Sequence, residues 1–80
     1  MNDGFLNTLR VGESGVVAGV EGERAMCRRL FDLGLVPGTS VTCTAVSPAG
    51  DPAAYLIRGA VIAIRGKDAA GVRLGGGPWN

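Results

Sequence analysis

The sequence predicts a small, mainly β barrel of five to six short strands, with one amphipathic helix inserted after the first strand. Three observations carry this reading. Fourteen glycines in 80 residues is more than twice ordinary usage, and glycine at that density serves tight turns between short strands. Apolar side chains alternate over several short runs, the period of a half-buried strand. One stretch, residues 23–33, switches to a helical period and is closed by glycine and proline. A closed sheet is the arrangement that leaves short strands without exposed edges. The length suits one domain over residues 1–80, with its core at about 8–74 and a tail at 75–80.

Taken in order, residues 1–8 carry little pattern, and Phe5, Leu6 and Leu9 are expected to lay an apolar lid on the core. In 14–20, Val16, Ala18 and Val20 recur at period two, giving a strand bent or bulged at Gly19. In 23–33, Met26, Leu30 and Leu33 stand at i, i+4 and i+7; Cys27 and Phe31 widen that stripe, and Arg24, Arg28, Arg29 and Asp32 lie opposite. Asp32 stands four residues after Arg28, the spacing of a helical ion pair. Glu23 brings negative charge to the end of the helix where the backbone dipole favours it. The stop is chemically explicit: Gly34 can take a left-handed conformation, Leu35 can fold back on Leu30, and Pro37 forbids continuation.

Val36-Pro37-Gly38-Thr39 has the residues of a type II turn. Residues 39–46 alternate, with Val41, Cys43 and Ala45 on one side and Thr42 and Thr44 on the other. Ser47-Pro48-Ala49-Gly50-Asp51-Pro52 reads as a loop in which Asp51 caps its own turn. Residues 53–58 and 60–65 are two strands separated by the Arg58-Gly59 step, with Tyr55 and Arg58 on opposite faces of the first and Ala60, Ile62 and Ile64 sharing a face of the second. Residues 66–71 form a helical turn, 72–74 a last strand, and the Gly75-Gly76-Gly77-Pro78-Trp79-Asn80 tail is flexible by composition.

Composition closes off several function classes. A net charge of +1 is far from the basic excess that drives polyanion binding, so no nucleic acid partner is expected. The chain has no histidine, which removes the usual general base and the commonest metal ligand. Its carboxylates are scattered singly, so catalytic residues are expected to be absent. Cys27 and Cys43 lack the spacing and number of a structural zinc site and are read as reduced, small core residues that hold no metal. A phosphate-binding loop needs four residues between its glycines and then Lys-Ser/Thr. Between Gly59 and Gly66 lie six residues that alternate as a strand, and Asp68 stands in the hydroxyl position. Gly12-Glu13-Ser14-Gly15 has the spacing of a KH clamp loop, but its acid would repel a backbone phosphate. With neither a leader-like N-terminus nor an apolar run of membrane-spanning length, the expected compartment is the cytoplasm.

Over Arg28-Arg29-Leu30-Phe31-Asp32-Leu33-Gly34-Leu35-Val36-Pro37-Gly38-Thr39 the chain resembles the ferrous iron transport protein A family, FeoA. The resemblance continues through 47–52, 55–65 and Lys67-Asp68-Ala69, in matching order and spacing over 8–74. It implies an SH3-like barrel and a non-enzymatic, cofactor-free cytoplasmic accessory protein of bacterial ferrous iron uptake. The implied partner is FeoB, a membrane transporter with a cytoplasmic GTP-binding part, which would recruit the protein to the inner face of the membrane. The same fold closes iron-dependent repressors, which carry a preceding winged-helix domain; a nucleic-acid-binding or regulatory barrel is therefore the alternative. The Gly-rich tail and Trp79 fall outside the family pattern, as either a dangling end or an apolar plug for a neighbouring molecule.

The expected contact residues are Arg28 and Arg29, steering toward acidic surface, together with Leu35, Tyr55 and Arg58 at the helix-to-strand corner. Exposed strand edges also make a homo-oligomer an expectation.

Overall fold

The computed structural model describes residues 4–75. Six strands form one antiparallel sheet: β1 (Gly4–Phe5), β2 (Ser14–Val20), β3 (Ser40–Val46), β4 (Ala53–Ile57), β5 (Ala60–Ile64) and β6 (Val72–Leu74), in the spatial order β1-β6-β2-β3-β4-β5. Helix α1 (Arg24–Asp32) joins β2 to β3, and the single turn α2 (Gly66–Ala69) joins β5 to β6. The sheet curls like a small barrel without closing. Because Gly4–Phe5 pairs with β6, the helix follows the second strand of the chain and not the first. Residues 76–80, including Trp79, lie outside the described residues.

The N-terminal lid is borne out. A 3-10 turn at Leu6–Thr8 follows β1, burying Leu6 and Leu9 completely or nearly so and Phe5 in part. β2 departs from simple alternation because it changes neighbours along its length. Its first residues pair with β3 (Gly15↔Val41) and its last with β6 (Val20↔Val72), with a register shift between Val17 and Gly19. Val17 is thereby buried, while Val16, Ala18 and Val20 are only partly covered. A similar bulge between Cys43 and Ala45 turns Ala45 out to solvent, although Val41 and Cys43 point inward as expected.

The helix stop is built as its residues dictate. Gly34 adopts φ +103°, its N–H donates to the Phe31 carbonyl at 2.9 Å, and the Leu35 N–H donates to the Leu30 carbonyl at 3.0 Å, a Schellman motif that buries both leucines. The type II turn follows, with Thr39 N–H donating to the Val36 carbonyl at 3.0 Å and Gly38 at φ +94°. Val17 and this turn then exchange bonds: Gly38 N–H reaches Val17 O and Val17 N–H reaches Thr39 O, both at 2.8 Å. At the other end, Glu23 is the helix N-cap but contributes no side-chain hydrogen bond.

Three local expectations are corrected. Phe31 is 43% exposed and does not widen the buried stripe, because at ~100° per residue it falls roughly 130° from the centre defined by Met26, Leu30 and Leu33. Arg58 is not a strand residue; at φ +51° it begins a two-residue reversal completed by Gly59 at φ +82°, the positive-φ pair that suits a tight hairpin. Asp51 does not cap its own turn: its Oδ1 accepts the Gly66 N–H at 2.7 Å, tying the 47–52 loop to the start of α2.

Leu30→Ala is expected to lower stability by about 2–5 kcal/mol in urea unfolding, the cost of a truncated core leucine. Gly34→Ala should cost about 1 kcal/mol or more. Its Cβ would carry left-handed strain and lie 3.1 Å from Arg58 Cδ and 3.3 Å from Ile57 Cγ2.

Candidate functional site

The five expected contact residues separate into two classes. Leu35 and Tyr55 are core residues, 0% and 2% exposed, and cannot offer contact surface. Leu35 is carried inward by the Schellman reversal. Tyr55 lies on the inner face of β4, where its hydroxyl donates a long bond of 3.4 Å to the Leu6 carbonyl. A chain this short must bury its larger apolar groups to fold.

Arg28, Arg29 and Arg58 are exposed, but they do not form one patch. Arg28 lies on the outer stripe of α1 with Arg24 and Phe31, spaced i, i+4, i+7. Arg29 sits on the flank, against a cleft of about 420 Å³ lined by Met26 and Leu30 of α1, by Leu33 just past its end, by Pro52, by Ala63 and Ile64 at the end of β5, and by Arg65, Lys67 and Asp68. Arg58, at the hairpin tip, lies over Gly34 and borders a second, more open depression of about 630 Å³. Val36, Pro37, Gly38, Thr39, Ser40, Thr42, Leu56 and Gly59 complete its lining. Leu56, 39% exposed, pairs across the hairpin with Val61, 63% exposed, so an apolar strip continues from this depression toward the outermost strand.

Among the described residues the ion pair is Arg73 Nε with Glu21 Oε2 at 3.1 Å, and the expected Arg28–Asp32 pair is not formed. The arginines of the helix and hairpin therefore keep their donors for other partners. Sequence reading placed Phe31 on the buried stripe, although a helical wheel puts it outside, and did not group Arg65 and Lys67 with Arg29, since their proximity arises only when the chain folds.

Among the described residues no group of three or more His, Cys, Asp or Glu side chains could hold a metal ion. Both cysteines are free. The Cys27 thiol, half-buried, faces the carbonyls of Val20 at 3.8 Å and Gly22 at 3.7 Å. The Cys43 thiol is fully buried and faces the Ala45 carbonyl at 3.8 Å. Burial raises the Cys43 thiol above its ordinary 9.0, with a backbone hydrogen bond at Ala45 opposing and the Glu13 charge adding. Burial likewise raises the Tyr55 hydroxyl above its ordinary 10.0, reinforced by Cys43 and Asp51. Also among the described residues, no helix is long and apolar enough to cross a membrane.

Two outcomes are expected. Iodoacetamide should modify Cys27 in the native protein and Cys43 only after unfolding, as read by mass spectrometry. Stability should be flat through neutral pH and fall as pH rises past about 9–10, because the folded state holds the Cys43 and Tyr55 protons more tightly than the unfolded chain does. In Tyr55→Phe the alkaline fall in the urea midpoint should be smaller, with a loss at pH 7 of about 1 kcal/mol or less.

The FeoA domain model matches residues 5–74. A Porphyromonas gingivalis Fe(2+) transport protein A/Fe(2+) transporter FeoB fusion protein is 30% identical over 69 residues, covering 86% of this chain but only 8% of that much longer protein. The solution structure of FeoA from Chlorobium tepidum is 34% identical, with a TM-score of 0.81 over 88% of this chain and 67% of that one. The Stenotrophomonas maltophilia FeoA crystal structure, a zinc complex described as a prokaryotic SH3 domain protein, is 31% identical, with a TM-score of 0.78 over 89% and 88% of the two chains. A manganese-dependent transcriptional repressor shares the fold alone, at 18% identity and a TM-score of 0.82, this chain covering 36% of it. With the family model spanning nearly all of the described sheet and the SH3-like architecture in agreement, the chain belongs to the FeoA domain family.

Proposed function

We propose that the chain is a non-enzymatic, cytoplasmic accessory module of ferrous iron uptake that docks on FeoB and modulates it. The observation that carries this reading is the relative in which a FeoA segment and FeoB are one polypeptide. Covalent linkage places two modules at a high mutual concentration, an arrangement that serves partners acting together. The surface suits docking: both depressions are open to solvent, and no paired carboxylates or histidine equip them for acid–base chemistry. Arg28, Arg29 and Arg58 carry unpaired positive charge close to exposed Phe31 and Leu56. Exposed cations beside apolar groups raise the rate of encounter and then hold the docked partner.

The module is therefore a scaffold whose contact residues project from the body of one helix and from the hairpin tip beside its C-terminal end. Arg58 is held at the tip of the β4–β5 hairpin, against the C-terminal end of α1, and Arg28 and Arg29 project from the helix body. Recruitment to the inner face of the membrane follows from the partner.

The test is binding of the purified protein to the cytoplasmic part of FeoB from the same cell, with and without guanine nucleotide, at two salt concentrations. Saturable binding that weakens with salt is expected. Replacing Arg28 and Arg29 together by glutamate should weaken it by about tenfold or more, roughly 1.4 kcal/mol, with an unchanged urea midpoint. Absence of binding in every nucleotide state would remove the docking mechanism.

A further inference from the structure

We infer that the cleft between α1, the end of β5 and α2 is a recognition site for an acidic, apolar-bearing peptide segment of a protein partner. This inference rests on the docking reading and names the chemistry of the partner that one part of the surface fits. The cleft, of about 420 Å³, is the more enclosed of the two depressions and falls within the usual range of ligand pockets, roughly 300–1,000 Å³. Met26, Leu30, Leu33 and Ile64 supply apolar lining, and Arg29, Arg65, Lys67 and Asp68 supply the charge.

Three cations against one carboxylate leave +2 at this cleft, more than the +1 of the whole chain. None of the three cations has an ion pair among the described residues, since the pair that forms is Arg73–Glu21. An apolar centre ringed by unpaired positive charge is complementary to an apolar side chain flanked by carboxylates.

Other anions fit less well. The backbone N–H at the start of α2 is already taken by Asp51 Oδ1 at 2.7 Å, so the cleft offers no free amide cradle at Gly66 for a phosphate. No aromatic side chain lines it for base stacking. Its apolar groups are recessed between elements, whereas a lipid surface is met by side chains that protrude.

The test follows amide chemical shifts of the isotope-labelled full chain during titration with a blocked peptide alternating glutamate and leucine, and with its lysine–leucine counterpart. Saturable shifts centred on Arg29, Leu33, Ala63, Arg65 and Lys67 are expected with the acidic peptide and none with the basic one. The double variant Arg65→Glu, Lys67→Glu should raise the peptide Kd roughly tenfold or more while keeping the urea midpoint, and Arg10→Glu, away from the cleft, should change it less than about twofold. Absent shifts, an equal response to both peptides, or shifts centred on the hairpin depression would overturn the assignment. So would co-sedimentation with phosphatidylglycerol vesicles that requires Arg65 and Lys67 without peptide binding, which would transfer the cleft to lipid headgroups. If the unmodified protein binds the cytoplasmic part of FeoB and the Arg65/Lys67 double variant binds equally well, docking stands and the cleft assignment falls. If the acidic peptide seats in the cleft and FeoB does not bind, the cleft stands and the FeoB reading falls.

Discussion

The reversal at the end of α1 is the constraint on which the rest of the molecule depends. A left-handed Gly34 and the Leu35-to-Leu30 backbone bond convert the helix axis into the direction of β3 within a few residues. The same reversal delivers the Val36–Thr39 turn to Val17, so it also sets where β2 and β3 meet. Both surface depressions are its products. One is lined by the chain leaving the reversal, the other by the helix face entering it. Any side chain at Gly34 would be strained in itself and would press on Ile57 and Arg58, so helix position and hairpin position are coupled through one backbone site.

Small size shapes what the surface can be made of. The core takes the inward-facing valines, leucines and isoleucines of the sheet together with Tyr55 and Leu35, and no polar or charged residue is buried with them among the described residues. What remains at the surface is charge carried on helix flanks and turns, with a few apolar groups such as Phe31, Leu56 and Val61 between. Arg28 and Arg29, adjacent in sequence, look in directions about 100° apart and lie on different surfaces.

Much of the fold was legible because its decisive signals are local. Gly34, Pro37 and Gly38 act through their own backbone preferences, and the structure realises each as expected. Alternation located the strands, but it failed at Ala45 and along β2, where bulges and a change of pairing partner break the period. Burial was the least legible property. Around Tyr55 the local cue is weak: Leu56 on the opposite face is as apolar as its neighbour Ile57, so alternation leaves only the charge of Arg58 to mark the outer side. The Asp51–Gly66 bond and the grouping of Arg29 with Arg65 and Lys67 join residues far apart in sequence, and no spacing rule links them.

β1 and β6 lie side by side, with Gly4 directly opposite Leu74. Entry to and exit from the described sheet are thus one strand spacing apart, about 5 Å. A domain with neighbouring ends can be spliced into a longer polypeptide, or attached at either end of one, without pulling its sheet open. It can also be re-opened elsewhere: a short bridge between those ends with new termini at the exposed 47–52 loop preserves every strand pair. Portability between free-standing and fused forms is therefore written into the hydrogen bonds of the shortest strand in the molecule.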